Sequence, residues 1–204
     1  MKVILINGSP HENGCTYTAL AEVAGALEKN GVHTQIYHIG KKAVHGCIAC
    51  GRCQTKGMCA FDDDPANEML ALMQSADGIV IGSPVYYAGP NGALCALLDR
   101  VFYADNGSLA FKPAAAVVSA RRGGTTAAFD RLNKYFTMNR MPVVSSQYWN
   151  SVHGFTPEDV RQDKEGLQTM RTLGYNMAWM LKSIADGAQP LPEIEPWLPT
   201  HFIQ

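Results

Sequence analysis

An α/β sandwich built on a parallel five-stranded sheet is the fold class this sequence predicts, and three observations predict it. Short apolar runs recur along the chain, several too continuous to belong to strands covered on one face only. Each is followed by a longer stretch with helical spacing, five times over. Glycine, proline and serine gather where the runs end, as turns require. Right-handed crossovers between parallel strands then place helices on both faces of the sheet.

The first strand is VILIN (3–7), and the loop NGSPHENGCT carries the chain from it into a helix over 16–29. HTQIYHI (33–39) is the second strand, followed by a cysteine-rich insertion (46–64) and a helix over 65–76. GIVIGS (78–83) and a helix over 90–103 form the third unit, AAAVVSA (114–120) and a helix over 125–138 the fourth. PVVSSQ (142–147) reads as the fifth strand. A long helix over 157–184 follows it, with Thr156 as N-cap, Pro157 in the first turn and an acid three residues on. The tail from 189 to 204 has four prolines and no periodicity, so it is expected to run irregularly, leaving one domain over 1–188.

A chain of 204 residues, 47% of them hydrophobic, can bury a full core. Seventeen basic residues against eighteen acidic ones give no bulk field to draw in nucleic acid or an anionic membrane, which points to a small partner. The apolar start is too short for a signal peptide, and no stretch approaches the roughly 18 apolar residues of a membrane span. A cytoplasmic protein is therefore expected. In that compartment clustered cysteines are metal-binding or redox-active rather than a disulfide framework.

Ligands of open α/β sheets sit beyond the carboxyl ends of the strands. The loop from Gly8 to Cys15, with Ser9, Pro10, His11, Gly14 and then Thr16, leaves the first strand there and enters the first helix. Its N–H groups, hydroxyls and helix dipole suit a phosphate. It lacks both G-x-x-x-x-G-K-[ST] and G-x-G-x-x-G, so neither a nucleoside triphosphate nor a dinucleotide of the Rossmann type is supported. FMN, with one terminal phosphate and a flat ring, fits what remains. The loop after the third strand offers a rigid aromatic wall, Pro84, Val85, Tyr86 and Tyr87. The loop after the fourth, Ser119, Ala120, Arg121, Arg122, Gly123 and Gly124, offers N–H groups for the polar edge of a flavin. No catalytic side chain stands out: G-x-S-x-G and H-E-x-x-H are both absent. Tyr148, Trp149 and His153 could reach the crevice or a neighbouring subunit, although packing is the simpler role.

Cys47, Cys50, Cys53 and Cys59 follow the second strand within thirteen residues. Four thiolates so close suit a [4Fe–4S] cluster; zinc, free thiols and a reversible disulfide are the alternatives. Asp62, Asp63 and Asp64 add negative charge that does not favour gathered thiolates. Cys15 and Cys95 read as small buried hydrophobes.

GSPHENGCTYTAL, GSPVYYAGPNGALCALLDR, RRGG and the C-x-x-C-x-x-C-x5-C spacing, in this order, resemble the NADPH-dependent FMN reductase and iron-sulfur flavoprotein group of the flavodoxin-like superfamily. The resemblance covers residues 1 to about 155. It implies strand order 2-1-3-4-5, an FMN phosphate surrounded by Ser9, His11, Gly14, Cys15 and Thr16, and a ring bordered by Pro84–Tyr87 and Ser119–Gly124. This chain departs from the group's usual arginine at His11 and usual asparagine or serine at Cys15. The implied activity is transfer of electrons from NAD(P)H through FMN to a flavin, a quinone or another small acceptor. The alternatives are an iron-sulfur flavoprotein exchanging single electrons with a ferredoxin-like protein, a non-enzymatic FMN carrier, and a thiol sensor. A homodimer or homotetramer is implied as well.

Overall fold

A computed structural model describes residues 1–187, 189–193, 195, 196, 198 and 200. The first half of the chain runs β1 (Lys2–Asn7), α1 (Cys15–Glu28), β2 (His33–His38), α2 (Arg52–Lys56), α3 (Ala66–Ser75) and β3 (Gly78–Tyr86). A two-residue β4 (Gly89–Pro90) precedes α4 (Gly92–Ala104), β5 (Ala114–Ala120), α5 (Thr125–Met138), β6 (Ser151–His153), α6 (Pro157–Gln162) and α7 (Lys164–Asp186).

Five parallel strands lie in the order β2-β1-β3-β5-β6, while β4 pairs antiparallel with the end of β3. This is the expected order, with β4 shifting the later numbers by one. Alternate residues of each strand supply the two cores. Ile4, Ile6, Ile79, Ile81, Ala116 and Val118 pack under α3, α4 and α5. Val3, Leu5, Val80, Ala115 and Val117 pack under α1 and α7. Every residue of β5 is buried, which accounts for its unbroken apolar reading.

Two expected elements are corrected. The stretch 142–147 is not a strand: it meets β5 only at an isolated bridge between Ala114 and Val143, and the edge strand forms at 151–153. The cause is Asn150, which is buried, donates from its side chain to the Ala116 carbonyl (3.0 Å) and accepts the Val118 N–H on its own carbonyl (3.0 Å). Its amide thus replaces a backbone donor while 145–149 loop outward. The helix over 157–184 is two helices, because Asp163 ends α6 and caps α7 by accepting the Gly166 N–H at 2.9 Å. The capping box at Thr156 and Asp159 forms as expected. Between Gln189 and Thr200 the described residues carry no regular element; Ile194, Trp197, Pro199 and 201–204 of the expected tail lie outside the described residues. No described helix is long and apolar enough to cross a membrane.

Candidate functional site

The loop after β1 is fixed before any ligand arrives. Buried Asn7 accepts the Ser9 N–H (3.1 Å) and donates to the Glu12 carbonyl (3.0 Å). Ser9 Oγ accepts the His11 N–H (3.1 Å), and the Ser9 carbonyl lies 2.8 Å from His38 Nε2 on β2. Gly8 donates to the Gly82 carbonyl (2.9 Å) and accepts from the Asn91 side chain at the start of α4 (2.9 Å). A Cβ there would stand 2.4 Å from Leu94 Cδ2 and 2.8 Å from the Gly82 oxygen, so only glycine fits.

The loop ends at the N-terminus of α1, where Gly14 offers no side-chain cap and the first turn holds no acid. The first N–H groups of the helix are thereby left for a ligand or solvent. They border a cleft of about 480 Å³ lined by His11, Glu12, Cys15, Lys41 and Phe155, among others. Burial pushes the Cys15 thiol up, and its sulfur contacts the Gly154 carbonyl at 3.8 Å.

The other loops close on the first. Thr16 Oγ1, buried, lies 2.8 Å from Ser119 Oγ, also buried, joining the start of α1 to the end of β5. Pro84 and Val85 are half-buried, whereas Tyr86 and Tyr87 are exposed. Tyr87 (φ 49°) and Ala88 (φ 60°) form the two-residue turn between β3 and β4, both in the left-handed region that such turns use and that non-glycine residues resist. Gly124 (φ 93°) packs beneath this turn, and a Cβ on it would meet Ala88 Cα at 2.9 Å. Ala120 is buried, while Arg121, Arg122 and Gly123 are exposed at the rim. The structure thus brings the three expected loops to one edge. The donors at the first loop and the open aromatic and glycine-rich walls suit a phosphate joined to a planar ring.

The four cysteines line one pocket, walled mainly by Ile48, Ala49, Ala60, Phe61 and Tyr103. Burial, helped by the charges of Cys47, Cys59 and Cys50, pushes the Cys53 thiol up. Among the described residues no three His, Cys, Asp or Glu side chains are grouped as for a single ion. Four cysteine thiols lining one pocket are the donor set that a [4Fe–4S] cluster takes.

Arg100 of α4, which sequence reasoning missed, holds this segment together. Its Nε donates to Cys59 Sγ (3.1 Å), Nη1 donates to the His45 carbonyl (3.1 Å), and Nη1 also pairs with Asp64 Oδ2. Both side chains of the ion pair are 1% exposed. Burial alone would push the Asp64 carboxyl up, but Arg100 and the N–H groups of His45 and Ala66 outweigh it and hold the carboxyl below its usual range. The acidity expected to disfavour thiolates is therefore cancelled at Asp64.

Helix α4 holds Gly8 at its N-cap, Asn91, and Cys59 through Arg100 nine residues later, about 14 Å along the axis at 1.5 Å per residue. Lys41, at the α1 cleft, was also missed; the basic pair after the second strand was its signal. Tyr148 and Trp149 precede the edge strand, and with His153 they line a separate cavity of about 180 Å³ beside Asp163.

A family model described as NADPH-dependent FMN reductase matches residues 1–156. An iron-sulfur flavoprotein of Methanocaldococcus jannaschii is 35% identical over 192 residues, spanning 90% of this chain and 99% of that protein. An iron-sulfur flavoprotein of Methanosarcina thermophila is 27% identical over 188 residues, spanning 90% and 97%. Among solved structures, a flavodoxin from the domain Archaea superposes with TM-score 0.61 at 18% identity, covering 89% of this chain and 99% of that one. A flavone reductase superposes with TM-score 0.71 at 17% identity, covering 91% and 65%. These structures establish a flavodoxin-like fold.

Proposed function

The chain belongs to the NADPH-dependent FMN reductase family, and on that premise we propose that it is an oxidoreductase that binds FMN at the β1, β3 and β5 loops and a [4Fe–4S] cluster at Cys47, Cys50, Cys53 and Cys59. The observation that carries the proposal is the pocket shared by all four cysteines, with Arg100 against Cys59. Bound FMN would take electrons in pairs or singly, and a cluster would pass them one at a time. The chain's own residues bind and orient. Ser9, Gly14, Thr16 and the open end of α1 receive the phosphate, with Lys41 and His11 at the rim. Pro84 to Tyr87 and Ser119 to Gly124 border the ring. Reduced nicotinamide is the proposed donor, supported by the exposed Tyr86 and Tyr87 as a stacking surface; a small molecule or a ferredoxin-like protein is the acceptor. The proposal includes a homodimer or homotetramer in the cytoplasm, where thiols stay reduced.

The test is the absorption spectrum of protein purified without oxygen, with iron and sulfide analysis. Flavin bands, a broad bleachable absorbance and about four irons per chain are expected. Flavin bands without iron would replace the proposal with a cluster-free reductase. Oxidation of NADPH with added quinone should exceed the free-flavin background, and its failure to do so would remove nicotinamide as donor.

A further inference from the structure

We infer that Arg100 is a positioning residue for the cluster, fixing Cys59 through its Nε–H and raising the potential at which the cluster takes up an electron. The inference rests on the proposed cluster reading. An arginine on a helix face usually reaches solvent with its charge. Here the residue is 2% exposed, and its donors are spent on one short stretch of chain: the carbonyls of His45 and Phe61, the carboxylate of Asp64 and the sulfur of Cys59. The guanidinium also lies over the Phe61 ring, 5.3 Å from its centroid, and Phe61 stacks on His45 at 4.2 Å. The two ends of the segment that carries the cysteines are therefore drawn to one planar group.

Charge balance gives this arrangement its chemical sense. Asp64 neutralises the guanidinium, and the N–H groups of His45 and Ala66 complete the carboxylate's contacts, at 3.1 Å each. What reaches Cys59 is a directed hydrogen bond from an already compensated cation. Hydrogen bonds to the cysteine sulfurs are one of the levers on cluster potential, because they draw electron density from the sulfur and favour the reduced state. Nε is the donor set by the stem of the side chain, so a lysine could keep the charge against Asp64 but not the fork.

The experiment compares wild type with Arg100→Lys after anaerobic reconstitution. Both should retain about four irons per chain. At a fixed potential the ratio of reduced to oxidised cluster should fall about threefold in the variant, about 28 mV at 59 mV per tenfold for one electron. A second measurement needs no variant: wild type grown with guanidino-¹⁵N arginine should show nitrogen coupling to the reduced cluster by pulsed electron paramagnetic resonance. An unchanged ratio at full iron content, or no such coupling in wild type, overturns the role of Arg100 and leaves the cluster reading standing. A wild type that takes up no iron overturns both.

Discussion

Thr16 and Ser119 share one hydrogen bond, and how its proton is arranged decides what the first loop can do for a phosphate. The oxygens are 2.8 Å apart and both residues are almost wholly buried. Only one of the two protons lies between them, so if Ser119 donates, the Thr16 proton is free for a ligand. Thr16→Val preserves shape and leaves Ser119 without its partner, which should lower stability by about 1–3 kcal/mol. It also removes a donor to a charged phosphate, about 1.5–3 kcal/mol, or about tenfold to 150-fold in Kd for FMN. Ser119→Ala should lower stability and weaken FMN binding less than Thr16→Val does, since the threonine keeps its donor and the backbone at 119 still borders the ring. Adding Ser119→Ala to Thr16→Val should recover part of the lost stability, because no buried group is then left unpaired. Denaturant unfolding and fluorescence titration of apoprotein with FMN read the two quantities separately. If Thr16→Val lowers stability while the Kd for FMN stays at the wild-type value, the hydroxyl only ties α1 to β5 and the reasoning fails.

Two further outcomes are expected. Ala88→Gly relieves a left-handed residue in the β3–β4 turn and should raise stability by about 1 kcal/mol, about 2–4 °C in Tm for a chain of this size; an unchanged or lower Tm in a thermal melt would show the turn to be unstrained. Asp64→Asn leaves Arg100 buried without its counter-charge and should lower stability by about 3–5 kcal/mol at neutral pH. Because the folded carboxyl of Asp64 is held below its usual range, its contribution is present above the unfolded value of about 3.9 and is lost as pH falls below it. The gap between the two proteins, read by urea unfolding, should therefore narrow below about pH 4, and a gap constant from pH 7 to pH 3 would count against the ionised pair.

The sheet was legible because its central strands are buried on both faces and interrupted by turn residues, so that Ala114–Ala120 and the helix Thr125–Met138 appear at their expected limits. The edge strand was not. Val143 and Val144 have the right composition, but the pairing passes to 151–153 because Asn150 satisfies β5 from its side chain. Nothing in local composition announces that an asparagine will stand in for a backbone donor. The three ligand loops could be read from their places after β1, β3 and β5. Arg100 could not, since a single arginine on an apolar helix looks like a snorkelling surface residue until Asp64 and Cys59, far away in sequence, are seen to meet it. The cysteines were legible as a group, and they line one pocket.

The contact between Gly124 and Ala88 has a consequence for anyone redesigning this crevice. With a Cβ at position 124 only 2.9 Å from Ala88 Cα, the turn after β3 and the loop after β5 form a single mechanical part, although about thirty-five residues separate them in the chain. Transplanting one loop from a relative without the other would carry a clash or a gap into the wall of the crevice. The two must be exchanged as a matched pair, and natural sequences of this fold should vary at these positions in concert.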